Sequence, residues 1–144
     1  MAEPRLGTTN DGKPMHYSVG AIIEKDGKYL LIDRALPPYG WAGIAGHLGD
    51  NENPDEALGR KVTEEVGLKV ITKKLILKEE VPWNRCRIGV NSHYWWLYKC
   101  DTKGNLSIDP EGAKSYGWYS EEEISKLKLE PVWDYWFKKL KITK

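Results

Sequence analysis

Phenylalanine is nearly missing from this chain: one residue, against seven tryptophans and eight tyrosines among 144. The aromatic mass is therefore amphipathic, suited to ligand walls as well as to cores. Cysteine is equally scarce. Cys86 and Cys100 rule out a disulfide scaffold, and they are too few and too far apart in sequence to suggest a zinc site. They are expected to be reduced thiols on strands of a cytoplasmic protein. No segment approaches the ~20 apolar residues that span a bilayer, so no membrane partner is expected. Charge excess is missing too: 22 basic and 21 acidic residues leave +1. That balance excludes bulk nucleic-acid binding driven by charge.

The length fits one domain, 1–144, large enough to build a core without staples. Met1 to Lys13 is polar and carries Pro4, Gly7 and Gly12. It lacks the apolar stretch of a secretory signal, and residues 1–15 read as a flexible or loosely packed segment. Tyr17–Ile23 and Lys28–Asp33 are apolar runs separated by Lys25-Asp26-Gly27, a strong hairpin signal. Leu36-Pro37-Pro38-Tyr39-Gly40 is a loop. Trp41–Ala45 is a short apolar run. Val70–Leu77 and Arg87–Cys100 read as strands, and 102–105 as a turn. Ser120-Glu-Glu-Glu123 is a capping box that opens a short helix. Pro131 starts a final helix with Val132, Trp133, Trp136, Phe137 and Leu140 at helical spacing. The irregular alternation places the chain in the α/β or α+β class with a mixed sheet.

The helix 54–66 has clear ends. Asn53 is a good N-cap, Pro54 suits the first position, Glu56 completes a capping box, and Gly67 stops the helix. At about 100° per residue, Lys61, Glu64 and Glu65 share an arc of roughly 100°. Leu58, Val62 and Val66 form the neighbouring apolar arc. Two adjacent carboxylates near a helix C-terminus repel each other, and the helix dipole disfavours each by roughly 0.3–1 kcal/mol. A hard divalent cation removes both objections. Solvated i,i+4 pairs, Arg60–Glu64 and Lys61–Glu65, are the other account of the same residues.

The wider segment resembles the Nudix box, G-x5-E-x7-R-E-U-x-E-E-x-G-U with U aliphatic. Gly46, Glu52, Arg60, Val62, Glu64, Glu65, Gly67 and Leu68 stand in register. Lys61 stands where that family has Glu. Residues 17 to 140 look Nudix-like beyond the box, with an upstream hairpin, a Gly-Trp before the box and Gly117-Trp-Tyr-Ser120 before a capped helix.

The resemblance implies an α/β/α sandwich around a mixed sheet, with the box as loop–helix–loop. It implies a metal-dependent pyrophosphohydrolase acting on a small nucleotide or nucleoside-diphosphate derivative, with Mg²⁺ or Mn²⁺ as cofactor. Glu64 and Glu65 match the metal-binding pair, and the carbonyl of Ala45 a further ligand. Glu52 and Arg60 match residues that hold the loop and orient the helix carboxylates. Glu111 stands where some members carry another metal or base carboxylate; a solvated loop residue is an equal account of it. His47 lies near the phosphate position, or is a loop residue without a role. Trp95 is a candidate for base stacking, with core packing as the alternative. Many relatives are dimers, so a homodimer is an open expectation.

Lys61 is the departure that matters. Lysine in its charged form cannot bind Mg²⁺, and relative to Glu it shifts local charge by two. Pairing of its ammonium with Glu65 is expected to replace part of a metal's role, giving slow or absent turnover. The alternative is a domain that binds or senses a nucleotide without cleaving it. From Gly46 to Leu68 there are six acids and two bases, so the box carries −4 and the rest of the chain +5. The near-zero total conceals an acidic segment in a basic surround.

Overall fold

The sheet begins at β1 (Leu6–Thr8), which pairs antiparallel with the start of β2 (Pro14–Lys25). The computed structural model describes residues 4–86 and 89–144. The N-terminal segment, expected to be loose, is paired over its described part: Arg5 N–H donates to the Leu48 carbonyl at 2.9 Å, and Pro4 bridges Gly49. Alternating polar residues with two glycines had concealed a short edge strand.

β2 turns into β3 (Lys28–Arg34) through Asp26 and Gly27, with φ of 53° and 77°. Two left-handed residues in succession are what a tight hairpin needs, and Asp-Gly supplies them. The run at 41–45 divides at Gly43 into β4 (Trp41–Ala42) and β5 (Ile44–His47). α1 (Pro54–Val66) has the ends expected of it. The Asn53 side chain accepts from the Glu56 amide, the Glu56 side chain accepts from the Asn53 amide, and Gly67 sits at φ 74°.

β6 (Lys69–Val81) extends beyond the expected 70–77. β7 (Ser92–Lys103) starts later and ends later than expected, taking in Thr102 and Lys103. Of the expected strand start, Arg87 and Ile88 lie outside the described residues, and Gly89, at φ 88°, has left-handed backbone rather than extended strand geometry. β8 (Ala113–Tyr119), α2 (Glu121–Ile124) and α3 (Pro131–Lys139) complete the chain. No helix among the described residues is long and apolar enough to cross a membrane.

The sheet runs β4-β3-β2-β7-β6, with β5 joined to β2 and β8 to β3. β2 and β7 are parallel and the other pairs antiparallel, so the sheet is mixed. Alternation sends successive side chains to opposite faces. Val19, Ala21 and Leu30 meet Leu58, Val62 and Val66 of α1 on one face. Ile22, Leu31, Trp95 and Leu97 meet Trp133, Trp136 and Phe137 of α3 on the other. The result is an α/β/α sandwich. Gly43 lets the α3 layer seat: a Cβ there would lie 2.6 Å from the Trp133 ring. Trp133 is fully buried, and trimming such a residue to Ala costs about 3–5 kcal/mol.

Candidate active site

The loop between β5 and α1 is organised by one guanidinium. Arg60 Nε and Nη2 donate to the two oxygens of Glu52, both at 2.6 Å. Nη2 also reaches the His47 carbonyl at 3.1 Å, and Nη1 lies 3.1 Å from both Glu64 oxygens. Glu52 Oε1 in turn accepts from the Gly49 amide at 2.6 Å. A planar fork can grip a carboxylate through two bonds, which a lysine ammonium cannot do. The fork holds the Glu52 carboxyl below its ordinary range, and the same pairing raises the Arg60 guanidinium. Arg5 adds to the outer side, donating to the carbonyls of Asp50 and Glu52.

Lys61 lies on the inner side of α1, with its side chain 14% exposed. Its stem runs across Gly46: a Cβ at that glycine would come within 2.3 Å of Lys61 Cδ and Cε. The ammonium stands 3.5 Å from Glu64 Oε2. Sequence reasoning paired it with Glu65, four residues on. The structure gives the three-residue pairing instead, because the Glu65 carboxylate turns toward the loop before β8. There it abuts Gly112, where a Cβ would be 2.8 Å from Oε2. Glu64 thus receives two cations, one from each side. Arg60–Glu64, the other expected i,i+4 pair, is formed.

Glu65 is largely enclosed. Burial raises its carboxyl above the ordinary value, Lys61 opposes the shift, and Asp109 adds to it. Asp109 was not foreseen. Its amide donates to the Glu65 carbonyl at 3.0 Å, and its charge is felt at the Glu65 carboxyl. Glu111, singled out in the sequence two residues later, is exposed and outside the cleft lining; its amide donates to Asp109 Oδ1 at 3.0 Å. The turn that begins at Asp109 carries Glu111 outward, and no periodicity in the sequence marks that turn.

An open cleft faces Lys61 and Glu65. Ala45, Gly46 and His47 line it on the β5 side, Arg34 and Arg85 supply positive charge, and Glu130 closes the far wall. Ala45, named in the sequence for its carbonyl, and His47 both line this cleft. Trp95 touches the cleft but is mostly core: it is 5% exposed, packs edge-on against Trp133 and Trp136, and donates Nε1–H to Asn84 Oδ1 at 3.0 Å. Trp96 points to the opposite face, beside Tyr17 and Tyr94. Glu130, at the N-cap position of α3, was missed. It is buried, its Oε1 is 3.9 Å from Arg34 Nε, and its Oε2 has no hydrogen-bond partner among the described residues. Burial pushes its carboxyl up to about 7, against the pull of Arg34. A Glu before a Pro-led helix reads as an ordinary cap in sequence, which hid it.

A mixed sheet between helical layers, with the carboxylate-bearing end of α1 beside a cleft lined by Arg34, Lys61 and Arg85, defines an α/β/α protein. The chain belongs to the Nudix family: residues 14–140 match the NUDIX domain. It is 38% identical over 118 residues to the nucleoside triphosphatase NudI of Escherichia fergusonii, covering 75% of this chain and 84% of that protein. Similarity to the 8-oxo-dGTP diphosphatase of Proteus vulgaris is 35% identity over 63 residues, 42% of this chain and 56% of that protein. The NUDIX domain of Shewanella oneidensis NrtR, solved with ADP ribose, superposes with a TM-score of 0.72 at 13% identity, covering 87% of this chain and 85% of that one. That likeness is one of fold.

Proposed function

We propose that this chain is a divalent-metal-dependent Nudix pyrophosphohydrolase, slowed by Lys61, acting on a nucleoside triphosphate or a nucleoside diphosphate joined to another group. The observation that carries the reading is the placement of Glu64 and Glu65 on one helix end, with Arg60 forking onto Glu52 of the loop and reaching Glu64 through Nη1. The names of the relatives, a nucleoside triphosphatase and an 8-oxo-dGTP diphosphatase, support the substrate class, as does the ADP ribose of the structural neighbour.

The donor set suits a hard ion. Glu64, Glu65 and the Ala45 carbonyl would hold Mg²⁺ or Mn²⁺, all through oxygen. When bound, the ion neutralises phosphate charge and lowers the pKa of water. The protein's own residues do the rest. Arg60 and Glu52 position the helix carboxylates and the loop. Arg34, Arg85 and Lys61 give the cleft the positive charge that a polyphosphate needs. Glu130, beside Arg34 on the cleft wall and raised by burial, is a carboxylate suited to accepting a proton near physiological pH. His47 contributes to the floor, and Trp95 supplies an edge rather than a stacking face. Lys61 partly fills the electrostatic place of the ion through Glu64, so metal affinity and rate fall together.

The Lys61–Glu64 contact also favours a second reading, a nucleotide-binding domain without turnover. A thermal-shift panel of nucleotides separates the two when run beside phosphate-release assays in Mg²⁺ and Mn²⁺. Hydrolysis that needs the metal supports the enzyme. Nucleotide stabilisation with no product at any metal concentration, in both this chain and Lys61→Glu, supports the binder.

A further inference from the structure

All three histidines of the chain converge on one point, with one of its two cysteines. His16 on β2 and His93 on β7 are register partners in the parallel pair. His47 ends β5 beside them, and Cys86 reaches over from the segment between β6 and β7. Their ligand atoms lie within 4.8 Å of one another. Sequence separations of 31, 39 and 7 residues hide this cluster; only the sheet assembles it.

The distances have the size of a metal polyhedron. For Zn–N of 2.0–2.1 Å and Zn–S near 2.3 Å, a tetrahedron has N···N edges of about 3.3 Å and N···S edges of about 3.6 Å. His47 Nε2 and His93 Nε2 stand 3.3 Å apart, and Cys86 Sγ and His16 Nδ1 3.7 Å apart. A pair at 4.8 Å needs to close by about 1.2–1.5 Å to reach such an edge. Rings pack closely as well: His16 and His47 have centroids 4.7 Å apart, and His47 and His93 stack at 5.3 Å with 12° between planes. His93 is 1% exposed, and its Nδ1 has no hydrogen-bond partner among the described residues. Burial keeps the imidazoles neutral, the form that ligates metals.

We propose that His16, His47, His93 and Cys86 form a four-coordinate site for a zinc-class divalent ion, distinct from the box carboxylates. Its nitrogen and sulfur donors select a borderline-soft ion, whereas Glu64 and Glu65 select a hard one. Four protein ligands complete the tetrahedron, so the site is structural. The ion fastens the segment carrying Asn84, Arg85 and Cys86 to the sheet, and so fixes Arg85 at the cleft. It also anchors His47, whose carbonyl Arg60 holds from the other side. Binding requires the Cys86 thiolate; its proton is released to solvent as the sulfur–metal bond forms, and the histidines bind neutral.

Titration of chelator-stripped protein with Co²⁺ in excess Mg²⁺ tests this. The expected result is one Co²⁺ per chain, with a sulfur-to-cobalt charge-transfer band and the intense d–d bands of four-coordinate cobalt, both abolished by stoichiometric Zn²⁺. Cys86→Ser loses the charge-transfer band, and His93→Gln weakens binding at least tenfold, while Cys100→Ser and Glu64→Gln leave both intact. Zn²⁺ raises the melting temperature of the unmodified chain but not of Cys86→Ser. If a variant fails to fold, the Cys100→Ser spectrum decides alone. Absence of the band, its survival in Cys86→Ser, or its loss in Glu64→Gln overturns the proposal. Co²⁺ bound without the band, and lost in Glu64→Gln, would put the ion at the box, which overturns this site and leaves the hydrolase reading untouched.

Discussion

Lys61 Nζ lies 3.5 Å from Glu64 Oε2, while Arg60 approaches the same carboxylate from the other side at 3.1 Å. A carboxylate expected to face a divalent ion thus faces two protein cations. Such a pair gains only modest energy where it meets water. It nevertheless sets the charge around Glu64, and under the proposed function a divalent ion would have to compete with it.

Arg60 is the joint on which the box loop turns. Arg60→Ala leaves Glu52 without its fork and frees the His47 carbonyl. A fully buried pair broken on one side costs about 3–5 kcal/mol, and with both side chains partly exposed about 2 kcal/mol is expected here. For a chain of this size that lowers the melting temperature by about 4–8 °C. Arg60→Lys does not restore it, because an ammonium lacks the second parallel bond. Differential scanning calorimetry of the two variants checks both statements.

Gly46 and Lys61 are coupled by space. A methyl at Gly46 displaces the Lys61 stem, so Gly46→Ala is destabilising alone and much less so when position 61 is also Ala. Urea denaturation of the two single variants and the double variant is expected to show a coupling of about 1 kcal/mol, typical of residues in contact. Additive losses would mean that Gly46 serves its own backbone instead.

Glu130 and the histidines give the stability curve two opposed arms. The Glu130 carboxyl is raised to about 7, so the folded chain holds a proton that the unfolded chain releases near 4.5. Stability from this group is complete below pH 4.5 and is lost as pH rises toward 7. His47 and His93 are depressed to about 3 and about 4 by burial, so the unfolded chain takes up protons below about 6.5 that the folded chain refuses. Their contribution is present above 6.5 and lost on acidification. Glu130→Gln is expected to raise the melting temperature at pH 8 relative to pH 5, compared with the unmodified chain in the same chelator-containing buffers. An unchanged difference between the two pH values would show that Glu130 ionises normally.

Much of the site was legible because its signals are local. Asn53, Pro54, Glu56 and Gly67 fixed α1 to the residue, and the periodicity of Leu58, Val62 and Val66 fixed its buried face. What the sequence hid was set by the sheet or by a turn. Asp109 rather than Glu111 meets Glu65, through its backbone amide, because the turn at 109–112 starts at that residue. Glu130 enters the cleft only because α3 packs across the sheet at Gly43. His16, His47, Cys86 and His93 come from four separate segments, and the β2–β7 and β2–β5 registers bring the three histidines together. Lys61 was visible as an oddity, but its partner depended on where Glu65 turned.

The most direct test compares this chain with Lys61→Glu in a phosphate-release assay, over nucleoside triphosphates and nucleoside-diphosphate-linked substrates with rising Mg²⁺. Replacing the ammonium by a carboxylate removes the competing cation and adds an oxygen donor. Lys61→Glu is expected to raise kcat/KM at least about tenfold, equivalent to about 1.4 kcal/mol of barrier, and to saturate at lower Mg²⁺. A Lys61→Glu chain that folds but hydrolyses every substrate no faster than the unmodified chain, with the same Mg²⁺ dependence, would contradict the account.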